Sequence, residues 1–264
     1  MQMPARAVIN VSVSSHYRED SYASETVTQG ILGEWVEVIE HRPLFSRVRQ
    51  EDGYTSWIST DQLAFAEPPA GIDVQVRSHF IAIRSEPSAD AAVIRDAVIG
   101  AKLTAAAEEN GWTRVILPDG MPGWVETKHF GSFPPATPDQ VIGLVREFLG
   151  YQYVWGGRTP KGFDCSGLVQ TAFALHGTKL PRDAWQQQEH HIVSDRFGDG
   201  IPGDLFFFAR TPEKVTHVAV CIGHGRFIHA SGWVRHNSLN QADADFSKDH
   251  VDTFVSVNRY PPEL

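Results

Sequence analysis

Two textures of apolar and polar positions divide the chain. Over roughly the first 130 residues the apolar positions fall in short period-two runs, at 35–39, 45–49 and 56–59 among others, separated by Gly, Asp and Pro. Helical spacing is absent there, and the pattern predicts small all-β units. From residue 137 it changes. Thr137-Pro138 reads as an N-cap followed by a first-turn proline, and Val141, Leu144, Val145, Phe148 and Leu149 recur at helical spacing up to Gly150. A second helix is predicted over 165–176, with Leu168, Val169, Ala172 and Phe173 on its buried side and Gly177 as its stop. The runs 204–208, 215–222 and 226–231 are strand-like. Helices followed by an antiparallel sheet make this part α+β.

The β-rich part repeats itself at an offset of about 67 positions. Phe45-Ser46-Arg47-Val48 aligns with Trp112-Thr113-Arg114-Val115, Asp52-Gly53 with Asp119-Gly120, Trp57 with Trp124, and Gly33 with Gly100. Joints rich in Pro, Ala and Gly at 66–71 and 131–138 separate three units, placed at 1–66, 72–132 and 137–264.

Charge and composition narrow the function. A net charge of −9 with no Lys/Arg cluster argues against a nucleic-acid partner. No apolar stretch is long enough to span a membrane. With Cys165 and Cys221 as the two cysteines, neither a disulfide framework nor a thiolate metal site is suggested. No His-Glu-x-x-His spacing is present, so neither a metal nor another cofactor is expected. The N-terminus lacks the pattern of a secretory signal, and a reducing, cytoplasmic location is expected.

The candidate chemistry lies in Phe163-Asp164-Cys165-Ser166-Gly167, which sets a cysteine at a helix start. Free first-turn N–H groups and the helix dipole favour thiolate there, so Cys165 is expected to be more acidic than a free cysteine and exposed in a cleft. His217 and His229, each inside a strand-like run, supply the base and its orienting partner of a Cys-His-His triad. Period two sets a condition. A two-residue turn at His224-Gly225 would send the two histidines to opposite faces, so a three-residue loop His224-Gly225-Arg226 or a bulge in one strand is required. The oxyanion donors are expected to be the Cys165 N–H and a neighbour. Tyr153 is read either as a further oxyanion donor that reaches the cleft and binds substrate or as a packed aromatic. Cys221, mid-strand between Val220 and Ile222, reads as inert. His190-His191, His224, His236 and His250 read as solvated surface, and Asp164 and Asp183 as possible helix-terminus residues.

Beyond residue 138 the chain resembles the NlpC/P60 family of papain-like cell-wall peptidases. The resemblance rests on Tyr153-Val154-Trp155-Gly156-Gly157, Gly162-Phe163-Asp164-Cys165-Ser166-Gly167, Leu180-Pro181-Arg182-Asp183, Pro202-Gly203-Asp204-Leu205, His217-Val218-Ala219-Val220 and Phe227-Ile228-His229-Ala230-Ser231 in that order. It implies Cys165 as nucleophile, His217 as general base and then acid, and His229 as orienting partner. The repeated β units resemble bacterial SH3 (SH3b) modules. The second fits better, through Arg84-Ser85-Glu86-Pro87 and Gly120-Met121-Pro122-Gly123-Trp124-Val125, whereas the first has Ser56 where glycine is usual. The implied fold is a papain-like catalytic domain preceded by two small all-β SH3-like barrels.

Two SH3b modules ahead of such a domain look like the γ-D-glutamyl-L-diamino acid endopeptidases. That resemblance implies a murein peptide substrate, L-Ala-γ-D-Glu-diamino acid, whose free amino terminus is held by Glu19 and Tyr54 of the first module with Asp164 and Ser166. After Leu-Pro-Arg-Asp this subgroup commonly has serine, whereas Ala184 stands here. The competing readings are an autolysin or amidase acting on intact wall, and a wall-binding protein with a vestigial hydrolase domain.

Overall fold

The repeat read in the sequence is a repeat of backbone conformation. Gly33 and Gly100 take φ of 84° and 88°, and Gly53 and Gly120 both take 85°, left-handed turns that a Cβ disfavours. The computed structural model describes residues 6–65, 71–189, 191–211 and 214–260, so His190 and all of the first expected joint but Gly71 lie outside the described residues. The chain forms two compact units, Met1–Ser132 and Phe133–Leu264.

The first unit holds both β copies. One comprises β1 (Arg6–Ile9), β2 (Val13–Tyr17), β3 (Thr26–Ile31), β4 (Trp35–His41), β5 (Phe45–Arg49), β6 (Thr55–Ser59) and β7 (Leu63–Ala64), in the sheet order β3-β2-β6-β5-β4-β1-β7. The other comprises β8 (Ile72–Gln75), β9 (Phe80–Arg84), β10 (Val93–Val98), β11 (Lys102–Glu109), β12 (Trp112–Ile116) and β13 (Pro122–Glu126), in the order β10-β9-β13-β12-β11-β8. Register slips at Val27 and Ile39 in the first copy recur at Ile94 and Ala106 in the second. Such bulges raise the local twist and bend a short sheet over its core. Ile9, Val36, Val48 and Ile58 fill the first core, and Ile83, Leu103, Val115 and Val125 the second. Leu32 of the first copy packs into the second core. Arg95 donates to Asn10 and to Asp119 at 2.7 and 2.8 Å, tying the copies together.

The second unit is α+β. It runs α1 (Pro138–Glu147), β14 (Arg158–Thr159), β15 (Gly162–Phe163), α2 (Cys165–Leu175), α3 (Ala184–Gln188), β16 (Ile192–Ser194), β17 (Leu205–Phe208), β18 (His217–Gly223), β19 (Arg226–Ser231), β20 (Trp233–Ser238), α4 (Lys248–Thr253) and β21 (Phe254–Asn258). The Thr137 side chain accepts the Gln140 N–H, as its N-cap reading requires. The sheet order is β16-β21-β17-β18-β19-β20, antiparallel throughout. Phe206, Phe208, Ala219, Cys221, Phe227, Leu239 and Val257 pack as one cluster on it. Cys221 is fully buried there, and burial pushes its thiol up to about 12. Among the described residues no helix is long and apolar enough to cross a membrane.

Candidate active site

Cys165 is the first residue of α2, and Asp164 is its N-cap. The Asp164 carboxylate is crowded with donors. Oδ1 accepts the Gly167 N–H at 2.7 Å, the Ser166 hydroxyl at 3.3 Å and Arg182 Nη1 at 3.1 Å, while Oδ2 accepts the Gly156 N–H at 3.0 Å and Arg182 Nη2 at 2.6 Å. Arg182 Nη1 also donates to Ser166 Oγ at 2.9 Å, and its residue is only 2% exposed. Asp164 therefore holds the Trp155-Gly156-Gly157 turn, the start of α2 and the Leu180-Pro181-Arg182 segment together. Glycine at 167 has a steric cause, because a Cβ there would sit 2.1 Å from the Gly157 carbonyl oxygen. Asp183 likewise caps α3, whose first residue is the buried Ala184.

The sulfur lies where α2 meets β18. Cys165 Sγ is 4.0 Å from the Thr216 carbonyl oxygen, and it is approached by the backbone N–H of Val218. Those two groups flank His217 in the chain. The expected acidic, exposed thiol is not what the structure contains. Cys165 is 8% exposed, and burial, followed by the adjacent Asp164 charge, pushes its thiol up to about 12 against the opposing pull of the Val218 and Ser166 amides. The positive helix end is already compensated by the Asp164 cap, which leaves little of its field for the sulfur.

The two histidines meet through a bulge. Val220 pairs with Ile228 and Cys221 with Phe227, but Gly223 pairs with Arg226, so Ile222 is the extra residue. The turn itself is the two-residue His224-Gly225, with φ of 54° and 75°, the mirror-image turn that suits a hairpin's twist. The three-residue loop is thus not formed, and the bulge restores the parity that brings both histidines to one face. His217 Nε2 and His229 Nδ1 are 2.7 Å apart.

A third residue fixes the proton positions. His229 Nε2 lies 2.9 Å from Asn237 Oδ1, and the Asn237 amide nitrogen donates to the Asp245 carbonyl oxygen at 2.9 Å. With its nitrogen so committed, Asn237 offers His229 an acceptor, and His229 carries its hydrogen on Nε2. His229 Nδ1 is then an acceptor, His217 donates Nε2–H to it, and His217 Nδ1 keeps its lone pair. Burial first, then the neighbouring His229 and His250, hold His217 well below the usual imidazole range. Burial and His250 bring His229 down to about 3. Both rings are neutral near pH 7.

Other expected positions fall as follows. Tyr153 is half-buried and its backbone bridges to Phe163 of β15, and its phenol is raised by burial and then by the charges of Cys165 and Asp164. Glu19 is exposed in the turn after β2, and Tyr54 is half-buried just before β6, both in the first unit. His191 and His224 are exposed, but His236 and His250 are half-buried. His250 stands on α4 with its ring centroid 4.9 Å from that of His229 and 5.6 Å from that of His217. The apolar flank of α4 was invisible as a helix in the sequence because it is so short. Arg182 was missed because it acts through Asp164, 18 residues away, and Asn237 because its meeting with His229 depends on the register of the β19–β20 hairpin.

Comparison with known proteins finds the following similarities. Residues 150–255 match the NlpC/P60 family, residues 17–63 the bacterial dipeptidyl-peptidase Sh3 domain, and residues 80–130 the bacterial SH3 domain. A gamma-D-glutamyl-L-lysine dipeptidyl-peptidase of Bacillus cereus is 29% identical over 91% of this chain and 77% of its own. Dipeptidyl-peptidase 6 of Lysinibacillus sphaericus is 25% identical over 95% of this chain and 98% of its own. A solved NlpC/P60 family protein from Bacillus cereus shares the fold, with a TM-score of 0.81 at 23% identity over 97% of this chain and 99% of that one.

Proposed function

Because an NlpC/P60 domain follows two bacterial SH3 domains in this chain, we propose that it is a cysteine peptidase. Its bond is the γ-D-glutamyl-L-diamino acid amide of murein peptides with a free N-terminal L-Ala, as in the recycling of wall peptides. The observation that carries the reading is the Asn237–His229–His217 relay, which leaves a neutral imidazole with a bare Nδ1 on the strand that meets Cys165 Sγ. The name of the Bacillus cereus relative, a gamma-D-glutamyl-L-lysine dipeptidyl-peptidase, supports the choice of bond.

The chemistry starts from an uncharged thiol and an uncharged imidazole. Substrate brings an amide carbonyl to the sulfur, and the Sγ proton passes to His217 Nδ1 as the S–C bond forms. The imidazolium so made is stabilised through Nε2–H by His229, whose own Nε2–H is anchored on Asn237. Returning that proton to the departing amine breaks the C–N bond and leaves a thioester. Water, deprotonated by His217, then hydrolyses it. The Cys165 N–H and the Tyr153 phenol are the oxyanion donors in this scheme. Ser166 and Asp164, tied by Arg182, complete the floor beside the nucleophile.

In this reading Glu19 and Tyr54 of the first module receive the ammonium of L-Ala. A charge-assisted hydrogen bond of that kind contributes about 1.5–3 kcal/mol, or roughly ten- to a hundredfold in rate. The test is incubation of the pure protein with L-Ala-γ-D-Glu-L-Lys, with its N-acetyl analogue and with whole sacculi, the products being read by mass. Release of lysine from the free peptide alone supports the reading, and Glu19→Gln should slow that peptide far more than the blocked one. Equal cleavage of free and acetylated peptides, or digestion of sacculi, would favour an enzyme of intact wall.

A further inference from the structure

His217, His229 and His250 come from β18, β19 and α4 and converge on one place. One ring nitrogen from each lies within 4.8 Å of those of the other two. Sequence spacing concealed the group, since it follows no short-range ligand pattern. His250 Nδ1 is engaged with Ser247 Oγ at 2.6 Å, which leaves its Nε2 as the ligand atom. On the other two rings the converging nitrogens are His217 Nε2 and His229 Nδ1, 2.7 Å apart. Phe208 and Phe227 pack their rings against His250, at centroid distances of 5.0 and 5.2 Å.

We infer that these three histidines form a binding site for a divalent cation of the zinc class, whose occupation switches the peptidase off. Three imidazoles are a donor set suited to Zn2+. Zn–N bonds of about 2.0–2.1 Å with tetrahedral angles set N···N separations of about 3.3–3.4 Å. The His217–His229 pair must open slightly, and His250 must move inward from its half-buried position, a hinge-like adjustment of a short helix. Protons balance without release. The metal takes the Nε2 lone pair of His217, so the hydrogen held there moves to Nδ1. His229 keeps its Nε2–H on Asn237 and gives the metal its Nδ1 lone pair. With a hydrogen on Nδ1, His217 has no lone pair left for the thiol proton, so metal-loaded and catalytic states exclude one another.

The inhibitory consequence rests on His217 as the base, but the binding does not, and the experiment separates the two. Zinc is titrated calorimetrically into Cys165→Ser, which removes the thiol as a competing ligand, and into the Cys165→Ser/His250→Gln double variant. One zinc per chain in the first and at least tenfold weaker binding in the second is the expected result. Equal affinity in both, or no binding in the first, overturns the site. Should the double variant fail to fold, cobalt(II) added to Cys165→Ser decides. Intense visible bands of a four-coordinate nitrogen set support the site, and the weak spectrum of six-coordinate aqueous cobalt refutes it. In the unaltered protein, zinc should abolish peptide cleavage and EDTA should restore it. Cleavage undiminished at a zinc concentration that saturates Cys165→Ser would refute the switch while leaving the peptidase reading intact.

Discussion

Asn237 Oδ1 accepts the His229 Nε2 hydrogen at 2.9 Å, and through that one bond it sets which nitrogen of His217 keeps its lone pair. Asn237→Ala should therefore lower kcat by roughly tenfold with little change in KM, since it acts on the base and not on the substrate. His217→Ala should cost about a thousandfold or more, and His229→Ala an intermediate amount. Steady-state kinetics on L-Ala-γ-D-Glu-L-Lys rank the three. An Asn237→Ala enzyme with raised KM and unchanged kcat would contradict the relay.

The two buried neutral histidines make stability depend on pH. The unfolded chain takes up protons below about pH 6.5, whereas folded His229 does so only near 3 and His217 well below its usual range. The stability they permit is complete above about pH 6.5 and is lost as the pH falls from there towards 3, at up to about 1.4 kcal/mol per pH unit for each such group. Urea unfolding at pH 7.5 and 5.0 should show a clear drop in midpoint, smaller in His229→Gln. Equal midpoints in the unaltered protein at the two pH values would refute buried neutral rings.

A thiol pushed up to about 12 predicts slow alkylation in the free enzyme at neutral pH. The rate of iodoacetamide modification at Cys165 should keep climbing beyond pH 9, by about tenfold per unit, as thiolate forms. A plateau reached below pH 7 would reveal a preformed thiolate–imidazolium pair instead. Complete modification should abolish cleavage, and EDTA alone should leave it unchanged. Loss of activity in EDTA that zinc restores would contradict a thiol mechanism.

Arg182→Ala should be the most damaging surface-remote change. It leaves the Asp164 carboxylate buried without its guanidinium, a kind of loss that costs about 3–5 kcal/mol. Thermal unfolding measures it. A fall in midpoint no larger than that of an exposed pair such as Arg196–Asp199 would show that Arg182 does not hold the floor of the site.

What could be read from sequence was local. The Thr137-Pro138 start, the Gly150 and Gly177 stops and the apolar spacing between them located α1 and α2, because helix ends and faces are written within a few residues. The repeat located two β copies, and the period-two argument required a device between the histidine strands. The sequence offered two such devices, and only the paired register distinguishes a bulge at Ile222 from a longer loop. Long-range partners were hidden for the same reason. Arg182 meets Asp164 between separate segments, Asn237 meets His229 only through the register of the β19–β20 hairpin, and His250 looked like surface because α4 carries Lys248, Asp249 and Asp252 around it. The acidity of Cys165 was misjudged because the helix end was considered without the burial of the sulfur and without the carboxylate that caps the helix.

The most direct test of the account compares Cys165→Ala with Cys221→Ala, both confirmed folded, in the hydrolysis of L-Ala-γ-D-Glu-L-Lys followed by mass. The account predicts that Cys165→Ala releases no lysine while Cys221→Ala works at close to the unaltered rate, since the second thiol is sealed in the sheet core. Lysine release by Cys165→Ala near the unaltered rate would contradict it.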